Sequence, residues 1–383
     1  MLLKRNLRLF YGANFLLILA QSLPHSILTV LLLAKGLSLS QIMFLAGAFS
    51  LAVLLFELPS GIWADLYSRK MLYFLSGFLL IIDCAFILFF DNFYILALAW
   101  FIYGIGIALS SDTLETALIN AFKRLENAKN HIESFYRYKN QMQFSAMLLG
   151  AVLGSFLYFL IGVKIYLLGI SFIVLALFLC LFFKEERLKI QQKSPRKHLL
   201  LALRELKKNQ ALRWLFLLAL CSQIFFQSHY QLWQALFLEK ALNEKYLFLL
   251  YVAFQILGVL VLFKTKPLSC IKLCFFALFL LPFLFFKLYY ALFGYMLFVG
   301  IFIYLDYRLN SAFSLLVSKR RISVLMAAKS SFSRICALGV LGCCALLLQY
   351  FSVSFVIFMN FFLVSVLMLI LLTKGAKCLT NPL

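Results

Sequence analysis

The chain has 383 residues, of which 64% are hydrophobic and 13% charged, with a formal net charge of +22. A soluble domain carries about a quarter charged residues, and no water-facing surface can be built from this composition, so lipid is the solvent for most of the chain. The basic residues sit in short clusters between apolar runs and not on one soluble face, which argues against a nucleic-acid partner and for the anionic leaflet of a membrane.

Lys4, Arg5 and Arg8 precede an apolar run too long for a signal peptide and without a small-residue cleavage site, so that run reads as a retained first helix. A spanning helix needs about 20 apolar residues. Twelve runs are predicted to span: 9–33, 40–60, 71–90, 93–116, 140–160, 164–183, 212–236, 246–263, 270–286, 288–316, 325–348 and 351–373. The runs at 246–263 and 270–286 are the shortest, and only Lys287 separates the latter from the next.

With the N-terminus inside, the outer loops hold Lys35, Lys164, Lys240, Lys245 and Lys287, five of the 36 basic residues. Arg308 lies within a span and the remaining 30 lie in or beside inner segments. This bias places both termini in the cytoplasm, in a multi-pass protein of the cell (inner) membrane. Residues 184–211 carry nine basic side chains against Glu185, Glu186 and Glu205. They read as a cytoplasmic linker whose Leu199–Leu206 part forms a basic amphipathic helix on the membrane surface. The chain therefore divides into a six-helix bundle at 1–183, the linker, and a second six-helix bundle at 212–383. The halves echo each other. Gly106-Ile107 precedes Asp112 as Gly300-Ile301 precedes Asp306, and Val152-Leu153-Gly154 recurs as Val340-Leu341-Gly342. Duplicated halves are a known way of building transporters.

Between the second and third spans runs Glu57-Leu58-Pro59-Ser60-Gly61-Ile62-Trp63-Ala64-Asp65-Leu66-Tyr67-Ser68-Arg69-Lys70. It resembles the signature loop of the major facilitator superfamily: Gly61, Asp65, Arg69 and Lys70 fall on the expected positions, and Ser68 stands where a Gly is usual. Ser110 to Asn120 resembles a Ser-Gly…Glu-Ala…Asp pattern of one branch, with Asp112 replacing the Gly and Asn120 the Asp. Tyr230-Gln231-Leu232-Trp233-Gln234 in the seventh span is a looser match. The resemblance implies an all-α membrane fold, twelve helices in two pseudo-two-fold bundles, and a place in a drug-efflux-like branch. Three departures leave efflux direction and proton antiport open. The fourth span lacks the Arg of many drug–proton antiporters, and Gly150-Ala-Val-Leu-Gly154 keeps the antiporter motif without its Pro. The second-half copy of the loop is reduced to Lys264, Lys266 and Lys272.

In that frame Asp65 is expected to cap the eleventh span near Met326–Ser331, where unpaired N–H groups and the helix dipole favour an anion. Arg69 and Lys70 are expected to face carboxylates of the neighbouring bundle or lipid head groups. Such a loop serves as a cytoplasmic gate or, in the plainer reading, as a positive-inside anchor. Ionisable residues within spans are costly and therefore functional candidates. Glu57, Asp112, Glu115, Lys329 and Arg334 are read as an inner charge cluster, either gating or static. Asp83 is unexpected in the third span, which the family places at the periphery, unless it reaches the outer interface. Asp306 is the candidate proton-coupling or substrate-charge site, with a salt bridge to another helix as the plainer reading; Arg308, two residues on, points away from it.

Gln223, Gln227, Gln231 and Gln234 share one helical face, and amides facing lipid are expensive. With Asn14, Gln21 and His25 in the first span they are expected to line a substrate cavity, or else to form interhelical hydrogen bonds, which use the same residue types; Trp233, Tyr304 and Tyr307 either add aromatic surface to that cavity or are packing or interface aromatics. The nine cysteines follow no metal-ligand spacing, so neither metal nor disulfide is expected. No phosphate-binding, zinc-protease or nucleophile-elbow motif appears, so no cofactor and no enzymatic reaction are expected. The reading is a monomeric secondary carrier for a small organic solute, with H+ the candidate coupling ion and membrane lipids around it. An uptake carrier or uniporter of the same fold, a membrane-embedded lipid-modifying enzyme, and a channel or scaffold are the alternatives.

Overall fold

A computed structural model describes residues 2–25, 28–37, 39–111, 113–185, 195–243, 246–263 and 268–379, and among these residues no strand forms. The first six predicted spans become α1 (Leu2–Ser22) with α2 (Leu28–Ala34), α3 (Leu39–Leu66), α4 (Arg69–Phe89), α5 (Phe93–Ser110) with α6 (Thr113–Phe122), α7 (Ala128–Ile161) and α8 (Ile165–Leu181). The linker contributes α9 (Pro195–Lys208). The remaining spans are α10 (Gln210–Glu239), α11 (Leu247–Val261), α12 (Cys270–Leu280), α13 (Leu288–Leu316), α14 (Ile322–Leu347) and α15 (Val353–Leu379). Among the described residues, eight helical stretches are long and apolar enough to cross a membrane, one of them running from α7 through α8, and two shorter apolar stretches cover α11 and α12. The architecture is an all-α membrane fold of twelve spans in two six-helix bundles.

Breaks in the spans have local causes. Pro24 offers no N–H to continue α1, and the chain turns at Leu23–His25 before α2. Pro282 ends α12 in a 3-10 turn over Leu281–Phe285, so the ninth span is a short helix with a tightened end. The linker helix is longer than the Leu199–Leu206 segment expected. Asp112, Lys245, Lys264 and Lys266 lie outside the described residues.

Two compact units result. The first comprises Met1–Glu126, Met142–Leu203 and Ser318–Ala328, and the second Asn127–Gln141, Arg204–Val317 and Lys329–Leu383. Both exchanged segments border or begin the fifth helix of a half, α7 in the first and α14 in the second. Side chains explain the exchange. Within the first unit the Nδ2 of Asn120 donates to the Lys319 carbonyl at 3.0 Å, and Thr116 and Ser323 hydroxyls meet at 3.0 Å. Within the second, Arg308 pairs with Glu133 at 2.9 Å and the hydroxyls of Tyr136 and Ser314 meet at 2.5 Å.

The duplication legible in the sequence reappears as a pattern of neighbours. In the first unit α1 packs on α8, α3 on α5, and α4 on both α5 and α8. In the second, the corresponding helices pair identically: α10 on α15, α11 on α13, and α12 on both α13 and α15. Packing is closest where glycine allows it. A Cβ on Gly154 of α7 would stand 1.8 Å from the Leu23 carbonyl oxygen, so only glycine lets α7 lie against the end of α1. The second unit is filled by stacked rings, with Phe225 on Phe302 at 4.5 Å and Phe298 on Phe361 at 4.3 Å between centroids.

Candidate functional site

Most of the predicted signature loop is helix. Residues 57–66 form the last turns of α3, Tyr67 and Ser68 make the connection, and Arg69 opens α4. Ser68 has extended backbone, φ −106°, and its hydroxyl oxygen accepts from the Met71 N–H as the N-cap of α4. No left-handed conformation is needed at this position, which is why a Ser serves where the family usually has Gly.

The carboxylate of Asp65 is fully buried and sits on the N-terminus of α14. One oxygen accepts from the Ser323 N–H at 3.2 Å and the other from the Val324 N–H at 3.0 Å. These are the second and third residues of α14, whose N–H groups have no intrahelical acceptor. The contact falls before the expected window of Met326–Ser331 because α14 begins at Ile322. Arg69 completes the cluster, donating to Asp65 at 3.0 Å and through Nε to the Ser323 hydroxyl at 3.3 Å. Gly61 permits the approach: a Cβ there would lie 2.4 Å from the Ala327 Cβ and 2.7 Å from the Ser323 carbonyl oxygen.

Lys70 departs from expectation. Its ammonium donates to the Leu181 and Phe183 carbonyls at 2.7 and 3.1 Å, capping the C-terminus of α8 within its own unit. Arg69 likewise bonds Asp65 within its own unit. Glu185, assigned by sequence only to a charged linker, accepts from the Ser68 hydroxyl and from the Arg69 and Lys70 N–H groups at 2.8, 3.0 and 3.3 Å. Its spacing from α4 in the chain, more than 110 residues, gave no signal of that role.

Of the expected charge cluster, Glu57 is buried in α3 and accepts from the Ser111 hydroxyl at 3.4 Å, and Glu115 is buried in α6. Both belong to the first unit, whereas Lys329 and Arg334 belong to the second. Lys329 donates to Asn310 Oδ1 at 2.5 Å, and Asn310 Nδ2 donates to Asp306 at 2.8 Å, so a carboxyl and an ammonium are joined through one amide. Asp306 and Arg308 point apart, as their two-residue spacing requires. Arg308 turns to Glu133 and lines a cavity of about 300 Å³ with Arg137, Tyr304 and Tyr307.

On α10, the buried face runs through Ser222, Phe225, His229, Leu232 and Trp233. Gln223 and Gln227 are half-buried and Gln231 and Gln234 exposed, so the amide stripe turns away from the core of its own unit. Trp233 corrects the expectation that it joins them. Two residues beyond Gln231 a helix has turned about 200°, and the indole packs edge-on against Phe254 with centroids 5.3 Å apart. Tyr304 is a second correction: it is buried beside Arg308, and its hydroxyl accepts from the Leu268 N–H at 3.0 Å. In the first unit Asn14 is half-buried, and its Nδ2 has no hydrogen-bond partner among the described residues. Gln21 and His25 line a cavity inside that unit.

Comparison with known proteins gives the chain a family and a fold. The family model described as Major Facilitator Superfamily matches residues 10–269. The uncharacterized MFS-type transporter YxaM of Bacillus subtilis (strain 168) is 28% identical over 167 residues, covering 42% of this chain and 41% of that relative. The alignment thus spans less than half of either protein. Among solved structures, a bacterial homologue of the iron transporter ferroportin in an outward-facing state superposes with a TM-score of 0.75 at 16% identity, covering 97% of this chain and all of the other. The E. coli fucose:proton symporter gives 0.77 at 14% identity, with 97% and 99% covered. At these identities the likeness is one of fold. With the family match extending over more than half of its length, the chain belongs to the major facilitator superfamily of membrane transporters.

Proposed function

We propose that this protein is a secondary transporter that carries a small organic solute by alternating access. Two six-helix bundles, 1–183 and 212–383, move as bodies around the solute path, and 184–211 tethers them on the cytoplasmic side of the inner membrane. Both termini lie in the cytoplasm, and the carrier acts as a monomer. The observation that carries this reading is Asp65. An acid from the first half of the sequence holds the opening turn of a helix from the second half by two hydrogen bonds. A latch of a few hydrogen bonds and one ion pair suits a gate, because it breaks and re-forms at a cost small beside folding.

The solute path is assigned to the amide face of α10 with Asn14 of α1. Asp306 is the coupling residue: it is the one acid of α13 and is joined through Asn310 to Lys329, so protonation of its carboxyl would loosen a contact between α13 and α14. Efflux with proton exchange is the first reading of direction and coupling, and uptake or uniport by the same fold is the second.

The test uses purified protein in proteoliposomes. A thermal-shift screen of metabolites and drugs at two pH values identifies a stabilising solute. Labelled solute then accumulates transiently in vesicles preloaded with the unlabelled form, and Asp65→Asn slows this counterflow while leaving insertion intact. Downhill flux without counterflow would indicate a channel and refute the proposal.

A further inference from the structure

The two halves use the same scaffold but fill it differently. In the second unit, the space among α10, α11, α13 and α15 is plugged by rings, with His229 Nδ1 2.9 Å from the Tyr295 hydroxyl and Phe225, Phe298 and Phe361 packed around them. The corresponding space of the first unit, among α1, α3, α4, α5 and α8, is a cavity of about 210 Å³. Its walls are largely apolar and aromatic: Phe49, Trp100, Tyr103 and Tyr166 line it, with Ile173 and Leu80. Largely apolar clefts with a few polar groups are the usual form of a small-molecule site.

One acid faces this cavity. Asp83 is 5% exposed, and its Oδ1 has no hydrogen-bond partner among the described residues. Trp100 Nε1, on the facing helix, likewise has none. The other titratable groups of the lining are His25, Cys84, Tyr103 and Tyr166. Among the described lining residues no Lys or Arg supplies a counter-charge to the carboxylate. A buried carboxylate left without a partner is strongly unfavourable. His25, by contrast, is exposed, so the lining runs from an accessible residue to a deeply buried acid.

We propose that this cavity binds a small organic cation with an aromatic or apolar body, its ammonium on Asp83 and its body against Trp100, Tyr103 and Phe49. The chemistry is that of a protonated amine: a carboxylate supplies the charge-assisted hydrogen bond, and aromatic faces attract the cation and bury the carbon body. Glycine, alanine and leucine walls would have accepted any apolar molecule, whereas an unpaired acid selects for positive charge. The site lies wholly within the first unit and is separate from the amide face assigned to the solute path. It stands whether or not that path carries a solute.

The test is calorimetric titration of the full-length protein in detergent with 2-phenylethylamine and, separately, its neutral counterpart 2-phenylethanol. The expected result is saturable binding of the amine and affinity for the alcohol weaker by about tenfold or more. Asp83→Asn should weaken amine binding by about the same factor, and Ile173→Trp, which puts an indole into the cavity and leaves the acid in place, should abolish it. Absence of saturable amine binding overturns the proposal, as does equal affinity for amine and alcohol in the wild-type protein. Amine affinity unchanged in both variants overturns it too. The first two readings need no variant to fold.

Discussion

Replacing Asp65 by Asn tests the latch without changing its shape. The buried carboxylate accepts from the Ser323 N–H, the Val324 N–H and the Arg69 guanidinium at 3.2, 3.0 and 3.0 Å. An Asn side chain keeps one acceptor oxygen, turns an NH2 towards a second donor, and removes the negative charge facing Arg69. Two hydrogen bonds to a charged group are weakened or lost, at about 1.5 kcal/mol each. The sum, about 3 kcal/mol, is about a hundredfold in a local opening equilibrium. Hydrogen–deuterium exchange followed by mass spectrometry reads this directly on a peptide spanning residues 322–328. Exchange at Ser323 and Val324 should accelerate by that factor, with the core of α13 unaffected. Arg69→Gln should produce a smaller acceleration, and the double variant less than the sum, because the two residues share one network. Unchanged exchange at the start of α14 in Asp65→Asn would refute the reasoning.

Three further outcomes follow from the geometry. Gly154→Ala puts a methyl where the Leu23 carbonyl oxygen stands 1.8 Å away, so α7 and α1 must separate; a loss of about 1–3 kcal/mol is expected, seen as a lower unfolding temperature in detergent and contradicted by an unchanged one. Lys70→Met removes the donor to the Leu181 and Phe183 carbonyls and should cost about 1 kcal/mol by the same assay, with no change expected from the equally charged Lys70→Arg if its guanidinium reaches the same carbonyls. Asp306→Asn should retain counterflow of an identified solute but lose accumulation driven by an imposed pH gradient; intact gradient-driven accumulation would remove Asp306 from the coupling role.

Much of the fold was legible because lipid imposes length. Apolar runs near 20 residues can only be helices in hydrocarbon, and eleven of the twelve runs fall largely within one helix or a helix and its immediate continuation. The first is the exception: its break at Pro24 was visible as a residue but not as an interruption, since a proline within a long span is often tolerated. Asp65 could be matched with a helix end because the resemblance of its loop implied a partner in the eleventh span, where unpaired N–H groups and the dipole favour an anion. The register was off by several residues, since apolar runs blur where a helix starts. Glu185 and Glu239 were unreadable as caps. Glu239 accepts from the Val353 and Ser354 N–H groups at 2.8 and 3.3 Å, yet periodicity cannot say which distant helix end a carboxylate will meet. Trp233 could be read as cavity surface or as packing, because an indole suits either; only the packed fold puts it against Phe254. Asp83 was noticed as costly, but the cavity beside it is a property of packing among five helices and has no trace in any one of them.

Alternating access is most directly tested without a known solute. In a cysteine-free background, Gln227→Cys is probed with a membrane-impermeant maleimide from each side of sealed vesicles, before and after residues 65 and 323, both replaced by Cys, are joined by a short bifunctional reagent. Carrier behaviour predicts that residue 227 reacts from both sides before cross-linking. With the latch locked, it should react from the outer side alone, the inner rate falling by about tenfold or more. Inner-side reactivity that survives the lock, or reactivity confined to one side throughout, would contradict the account.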